Sequence, residues 1–147
     1  LKNTPVEFFR YKYNQIKWES RAFGLVGPRG VGKSTMLLQY IKQNLDTKDT
    51  LYVSADNLYF AEHKLVDLAD RFVKMGGKHL FIDEIHKYEG WSRELKQIYD
   101  SYDDLQIVSP ALRYLTFIRV WQILADVCLF MRCRGCRSEN ICAYFIV

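Results

Sequence analysis

Nine consecutive residues, from position 27 to position 35, have the types and spacing that bind phosphate groups: Gly-Pro-Arg-Gly-Val-Gly-Lys-Ser-Thr. They match the pattern G-x-x-x-x-G-K-[ST] at every fixed position. Glycines accept positive φ and let the backbone approach an anion, so that N–H groups converge on it and the dipole of the next helix adds to the attraction. The predicted phosphate-contacting residues of this phosphate loop are Gly27, Pro28, Arg29, Gly30, Val31, Gly32, Lys33, Ser34 and Thr35.

Two side chains of the phosphate loop have chemistry of their own. Lys33 is expected to reach the β- and γ-phosphates of a bound nucleotide, and Ser34 is expected to ligate Mg²⁺ through its hydroxyl. The local context agrees with this assignment, because residues 22–26 are typical of a short buried strand and residues 36–41 of a helix with an apolar face. A strand, a glycine loop and a helix in this order are what phosphate binding requires.

A second segment with candidate chemistry is the apolar run at residues 80–82, which ends in the adjacent carboxylates Asp83 and Glu84. An acidic residue at the end of a parallel strand next to a phosphate loop holds Mg²⁺, usually through water, and this metal-binding role is predicted for Asp83. Glu84 is predicted to be the general base that orients or deprotonates an attacking water. Alone, so short a pattern is equally typical of a solvated turn, but the phosphate loop upstream favours the catalytic interpretation.

Strand and helix patterns alternate along the first 108 residues. Helices are predicted at residues 6–19, from the phosphate loop to about 45, at 65–73 and at 91–99, and strands at 22–26, 50–54, 78–83 and from 105 onward. Strands that alternate with helices indicate a parallel sheet with helices on both faces, which is the α/β class.

Several aromatic and histidine side chains near these segments have simpler interpretations than ligand binding. His79 and His86, which flank the carboxylate segment, are interpreted as surface or packing residues. Four aromatic residues are interpreted as part of the core or of an interface rather than as a platform for stacking bases: Tyr52, Tyr59, Phe60 and Trp91.

Composition indicates a globular protein, since 49% of the 147 residues are hydrophobic and 15% are aromatic. No apolar run reaches the length of a membrane span and no N-terminal signal pattern is present, so we expect a cytoplasmic protein with no membrane partner. The formal net charge is +4, but residues 1–108 contain 16 basic and 15 acidic residues. Most of the excess positive charge therefore lies in residues 109–147. Binding to nucleic acid therefore stays uncertain.

The composition changes abruptly after Val108. Residues 109–147 contain five Arg, no Lys and two acidic residues, and they hold all four cysteines of the chain: Cys128, Cys133, Cys136 and Cys142. The Cys-x-x-Cys spacing at 133–136 is one that zinc uses, but no second such pair exists and no His follows position 86. A disulfide framework is no better supported, because the rest of the chain is typical of a cytosolic protein.

We favour a third interpretation, in which residues 109–147 are an aberrant tail translated out of frame. When compatible codons are reread from the third base of each, residues 110–113 become compatible with Thr-Gly-Ser-Ser. The reread sequence continues with mixed charge, no Cys and no obligatory stop. The predicted organisation is therefore a core at residues 1–108 followed by a tail at residues 109–147.

Four segments of residues 1–108 together carry a specific resemblance: the phosphate loop, Leu-Tyr-Val-Ser-Ala-Asp at 51–56, Leu-Phe-Ile-Asp-Glu-Ile-His at 80–86 and Trp-Ser-Arg-Glu-Leu-Lys-Gln-Ile-Tyr at 91–99. They resemble a family of bacterial and archaeal AAA-type ATPases, in which the ATPase core typically precedes a C-terminal nuclease-like domain of unknown function. The resemblance implies an AAA+-like P-loop NTPase fold, incomplete at its C-terminus here, with ATP and Mg²⁺ as cofactors. It leaves a homo-oligomer or a protein partner open.

In that family the strand that begins near Leu105 typically runs into Thr-Gly-Ser-Ser, whose polar side chain senses the γ-phosphate. Here Ser-Pro-Ala-Leu stands at 109–112, and no arginine finger of the family is matched. Two hypotheses follow. The chain binds ATP and hydrolyses it with Mg²⁺, using Lys33 and Glu84; or it is a fragment that binds nucleotide without turnover because it lacks the sensor and the C-terminal domain. Whether this chain is itself an enzyme stays open at this point.

Overall fold

The computed structural model describes residues 16, 18–26, 30–111 and 143–145. In this part of the chain the elements follow one another as β1 Ala22–Val26, α1 Lys33–Asn44, β2 Thr50–Ser54, α2 Tyr59–Glu62, α3 Leu65–Lys74, β3 His79–Asp83, α4 Trp91–Ser101, β4 Gln106–Ala111 and β5 Ala143–Phe145. A single 3₁₀ turn, Ile85–Lys87, lies between β3 and α4.

The strands form one sheet in the order β2-β3-β4-β1-β5, and every neighbouring pair is parallel. β3 lies inside the sheet, where Phe81 pairs with Tyr52 of β2 on one side and with Val108 of β4 on the other. Because the pairs are parallel, the carboxyl ends of the strands lie along one edge of the sheet, where open α/β sheets bind their ligands. The predicted α/β fold with a parallel sheet is confirmed.

Alternation along the strands builds a hydrophobic core on each face of the sheet. One core combines Leu80 and Ile82 of β3 with buried residues of α3 and α4: Leu65, Ala69, Leu95 and Ile98. The other combines strand residues with the buried side of α1: Phe23, Leu25, Phe81, Val108, Met36, Leu37 and Ile41. Helices therefore cover both faces, as the alternating sequence patterns predict.

The predicted elements match the described ones closely where the pattern is long. β1 and β2 have the predicted bounds, and α1, α3 and α4 cover the predicted segments. The sequence patterns missed α2 and the 3₁₀ turn, because elements of three or four residues show no helical periodicity. The helix predicted at residues 6–19 falls largely outside the described residues. None of the helices in the described ranges has the length and apolar character that crossing a membrane requires.

β4 continues past Val108, the residue after which the composition changes. Its pairing with β3 ends at Phe81↔Val108, and the next residue, the buried Ser109, donates its hydroxyl to the Ile82 carbonyl at 2.8 Å. β4 goes on pairing with β1 as far as Ala111, and β5 pairs with the other side of β1. The out-of-frame origin of residues 109–147 stays a prediction. The four cysteines, and with them the zinc and disulfide alternatives, lie outside the described residues.

The backbone turns sharply where β3 ends. Among the described residues, Glu84 is the non-glycine residue with a positive φ; its φ of 51° and ψ of 29° put it in the left-handed region. A residue with a Cβ atom adopts this conformation at a cost of about 1–2 kcal/mol. The turn is held by the Glu84 N–H, which donates to Asp83 Oδ1 at 2.8 Å, and by the 3₁₀ turn that follows.

The cost of this turn is measurable by comparing Glu84→Gly with Glu84→Ala. Both variants remove the carboxylate and its contacts, but only glycine adopts the left-handed conformation without strain. We expect the Gly variant to be more stable than the Ala variant by about 1 kcal/mol in urea denaturation. The same pair at the exposed Gln97 inside α4 is the control, where Ala should be the more stable variant. If the Ala variant at position 84 has the same free energy of unfolding as the Gly variant, the backbone at this position is not strained.

Candidate nucleotide site

The parallel sheet brings the two segments with candidate chemistry together at its carboxyl edge. β1 ends at Val26, immediately before the phosphate loop, and α1 then packs back on the face that carries Phe81. Asp83 lies two residues after Phe81 in β3, so that alternation directs both side chains to the face covered by α1. The start of α1 and the end of β3 are therefore neighbours.

The described part of the phosphate loop has the backbone that phosphate binding needs. Gly30 and Gly32 have φ of 82° and 81°, as predicted for positions where a Cβ atom would cause strain. Gly32 is the N-cap of α1 and has no side chain with which to cap the helix, so the first turn of α1 is open to an anion. α1 also carries no acidic residue in its first turn. Gly27, Pro28 and Arg29 lie outside the described residues.

Lys33, the first residue of α1, is a buried cation. The residue is only 9% exposed. Burial lowers the pKa of the Lys33 ammonium group, while the charges of Asp83 and Glu84 act in the opposite direction without fully compensating. The two carboxylates therefore favour the charged form of Lys33, and a phosphate would supply further negative charge. Beside it, Ser34 is half-buried and Thr35 is exposed.

Both oxygens of the Asp83 carboxylate accept hydrogen bonds. The Tyr52 phenol donates to Oδ2 at 2.5 Å, and the Glu84 N–H donates to Oδ1 at 2.8 Å. The Ser34 side chain interacts with the same phenol. The Tyr52 hydroxyl therefore lies between Ser34 at the start of α1 and Asp83 at the end of β3.

The Glu84 carboxylate lies beside basic groups of the 3₁₀ turn. Its Oε2 is 3.4 Å from His86 Nε2 and 3.9 Å from Lys87 Nζ. Lys87 also pairs with Asp56, which follows β2, at 2.5 Å. These contacts are partly exposed, so their Coulomb energy is small, but they hold Glu84 at the mouth of the site.

The oxygen donors at this edge fit Mg²⁺. The Ser34 hydroxyl and the Asp83 carboxylate are hard oxygen ligands of the kind that Mg²⁺ prefers, and both contact the same phenol, which keeps them close together. In the part of the chain that the structure describes, no group of three or more His, Cys, Asp or Glu side chains forms a metal cage. Mg²⁺ usually takes one or two protein ligands and completes its shell with water and substrate phosphates, so this sparse donor set suits it.

Sequence reasoning did not find the environment of the two carboxylates. Tyr52 is interpreted above as a core aromatic, and its ring does pack against the core on the α1 face, but its hydroxyl binds Asp83. His86 is exposed, as interpreted, yet it contacts Glu84. A signal for Tyr52 existed: it stands two residues before the end of a strand that neighbours β3, which puts it on the face of Asp83.

Comparison with known proteins agrees with this geometry. A structure of PCH-2 from C. elegans superposes with a TM-score of 0.51 and 22% identity, covering 73% of this chain and 34% of that one. The likeness shows the fold, which is that of an AAA+-like P-loop NTPase. MJ1637 of Methanocaldococcus jannaschii, an uncharacterised protein, is 32% identical over 87 residues. That alignment covers 52% of this chain and 18% of the relative, so the chain spans less than a fifth of the relative's length.

A protein family described as an AAA domain matches residues 19–111, which is more than half of the chain. The match runs from the residues before β1 to the end of β4 and includes the phosphate loop, Tyr52, Asp83 and Glu84. The sheet order, the open start of α1 and the paired carboxylates all lie within it. The chain therefore belongs to this family of AAA domains, and its function is of the nucleotide-binding ATPase type.

Proposed function

We propose that this domain binds ATP together with Mg²⁺ and hydrolyses it. The observation that carries the proposal is Lys33, a largely buried residue at the open start of α1 whose charge interacts with those of Asp83 and Glu84. A cation in this position, next to glycine backbone and two carboxylates, suits a polyanion that arrives with a divalent cation better than a neutral ligand.

Each described residue has a distinct role in the proposed reaction. The backbone N–H groups of the phosphate loop and Lys33 hold the β- and γ-phosphates and stabilise the charge that develops on them. Ser34 and Asp83 would hold Mg²⁺. The metal, when bound, would neutralise the charge of the phosphates.

Glu84 is the proposed general base. Its backbone is in the left-handed region directly after β3, and its side chain is about a third exposed, so that water has access to the carboxylate. His86 and Lys87 limit the positions that the carboxylate adopts. A general base contributes through proton transfer to the attacking water and needs hydrogen-bonding reach of it, which a turn at the strand end provides.

A second candidate function is nucleotide binding without turnover. Ser109 stands where the resembled family has its sensor segment, and its buried hydroxyl donates to the Ile82 carbonyl. Loss of a residue that stabilises transition-state charge, such as an arginine finger, costs about 10³–10⁵ in rate. Another copy of the chain or a protein partner is the proposed source of a finger. Cytoplasmic location stays a prediction, and binding to nucleic acid stays open.

Lys33→Ala should abolish measurable nucleotide binding. The variant removes the charge that faces the phosphates, and hydrogen bonds to charged groups contribute about 1.5–3 kcal/mol each. Fluorescence titration with a labelled ATP measures the dissociation constant. Lys42→Ala is the matched control, since this exposed lysine lies in the last turn of α1, and it should bind as the unchanged protein does. Equal affinity of the two variants would remove Lys33 from the site.

Glu84→Gln should bind ATP with little change but hydrolyse it about 10²–10⁴ times more slowly, because the amide cannot accept the proton of water. Phosphate release under saturating Mg-ATP gives the rate, and Glu89→Gln in the exposed loop before α4 serves as the control. If Glu84→Gln turns over at the original rate, Glu84 is not the base. If the 147-residue chain itself binds ATP but shows no turnover, the second candidate function replaces the first.

A further inference from the structure

We propose that Tyr52 is a positioning residue for Mg²⁺: its phenol hydroxyl links Ser34 to Asp83 and holds both metal ligands in place. The inference rests on the proposed function of the same site. Tyr52 lies outside the phosphate loop and outside the carboxylate pair, and it contacts no phosphate in the assignment above. Its contribution is the geometry of the two ligands before the metal arrives.

The sheet fixes where the phenol stands. Tyr52 pairs with Phe81 and Ser54 pairs with Asp83 in the β2–β3 ladder, so Tyr52 and Asp83 share the α1 face one step apart along the strands. The ring packs against the core that contains Phe81 and the buried side of α1. A ring anchored in this way carries its hydroxyl to one position, between the start of α1 and the end of β3.

The hydrogen bonds to Asp83 leave its carboxylate available to a cation. The phenol donates to Asp83 Oδ2 at 2.5 Å, and a carboxylate oxygen that accepts one hydrogen bond keeps a further lone pair. The Ser34 side chain interacts with the same phenol from the start of α1. Two hydrogen bonds orient the Asp83 carboxylate: the phenol donates to Oδ2, and the Glu84 N–H donates to Oδ1.

The single proton of the phenol is used on the carboxylate, because the Tyr52 hydroxyl donates to Asp83 Oδ2 at 2.5 Å. Partners that orient a metal ligand in this way typically contribute a factor of about 10–100 to metal affinity.

Tyr52→Phe isolates the hydroxyl, since the ring and its packing remain. Affinity for a fluorescent ADP is measured in EDTA and in saturating Mg²⁺, and the ratio of the two constants reports how much the metal strengthens nucleotide binding. We expect the variant to bind as the unchanged protein does in EDTA, and to lose about 10-fold or more of the gain from Mg²⁺. In an Asp83→Asn background the Tyr52→Phe change should have little further effect, because the two residues act as a unit.

Tyr102→Phe is the matched control, because Tyr102 also donates its phenol hydroxyl to a carboxylate, Asp70 Oδ1 at 2.9 Å, away from the site. It should leave both constants unchanged. A Tyr52→Phe variant whose Mg²⁺ gain equals or exceeds that of the unchanged protein overturns the proposal, and so does an equal loss with and without the metal. If the unchanged protein binds no nucleotide under either condition, the proposed function fails first and the role of Tyr52 fails with it.

Discussion

A lysine ammonium group without full access to water needs negative charge beside it, and the position of Lys33 makes this the constraint on which the site depends. Burial at the start of α1 lowers the pKa of Lys33, and Asp83 and Glu84 at the end of β3 provide the compensating charge. That electrostatic interaction requires β3 to lie inside the sheet and α1 to cover the face of Phe81. The order of the strands and the packing of the two cores thus bring the start of α1, with Lys33, near Asp83 and Glu84 at the end of β3.

Hydrogen bonds and ion pairs also fix the positions of the two carboxylates at this edge of the sheet. Asp83 is held by Tyr52 and by the N–H of Glu84, and Glu84 is held in a strained left-handed turn with His86 and Lys87 beside its carboxylate. Strained backbone of this kind persists where the surrounding structure determines it strongly, and such places are often functional. The edge is therefore prepared for a charged ligand before that ligand binds.

The sequence was sufficient for the features that depend on local pattern. Glycines at 30 and 32 predicted positive φ, and apolar runs predicted β1, β2 and β3, because backbone freedom and strand alternation are local properties. The position of the Tyr52 hydroxyl depends on the β2–β3 register, which the sequence does not show. The contact between Glu84 and His86 depends on a 3₁₀ turn that is too short to show helical periodicity. The composition change after Val108 did not predict that β4 continues to Ala111, since pairing with β1 is a tertiary effect.

The most direct test of the account is a crystal structure of the chain with Mg²⁺ and a non-hydrolysable ATP analogue. The account predicts the β- and γ-phosphates within hydrogen-bonding distance of Lys33 Nζ and of the phosphate-loop amides. It also predicts Mg²⁺ between the Ser34 hydroxyl and the Asp83 carboxylate, with the Tyr52 hydroxyl still on Asp83. A triphosphate bound away from the start of α1, beyond hydrogen-bonding distance of Lys33 Nζ, would contradict it.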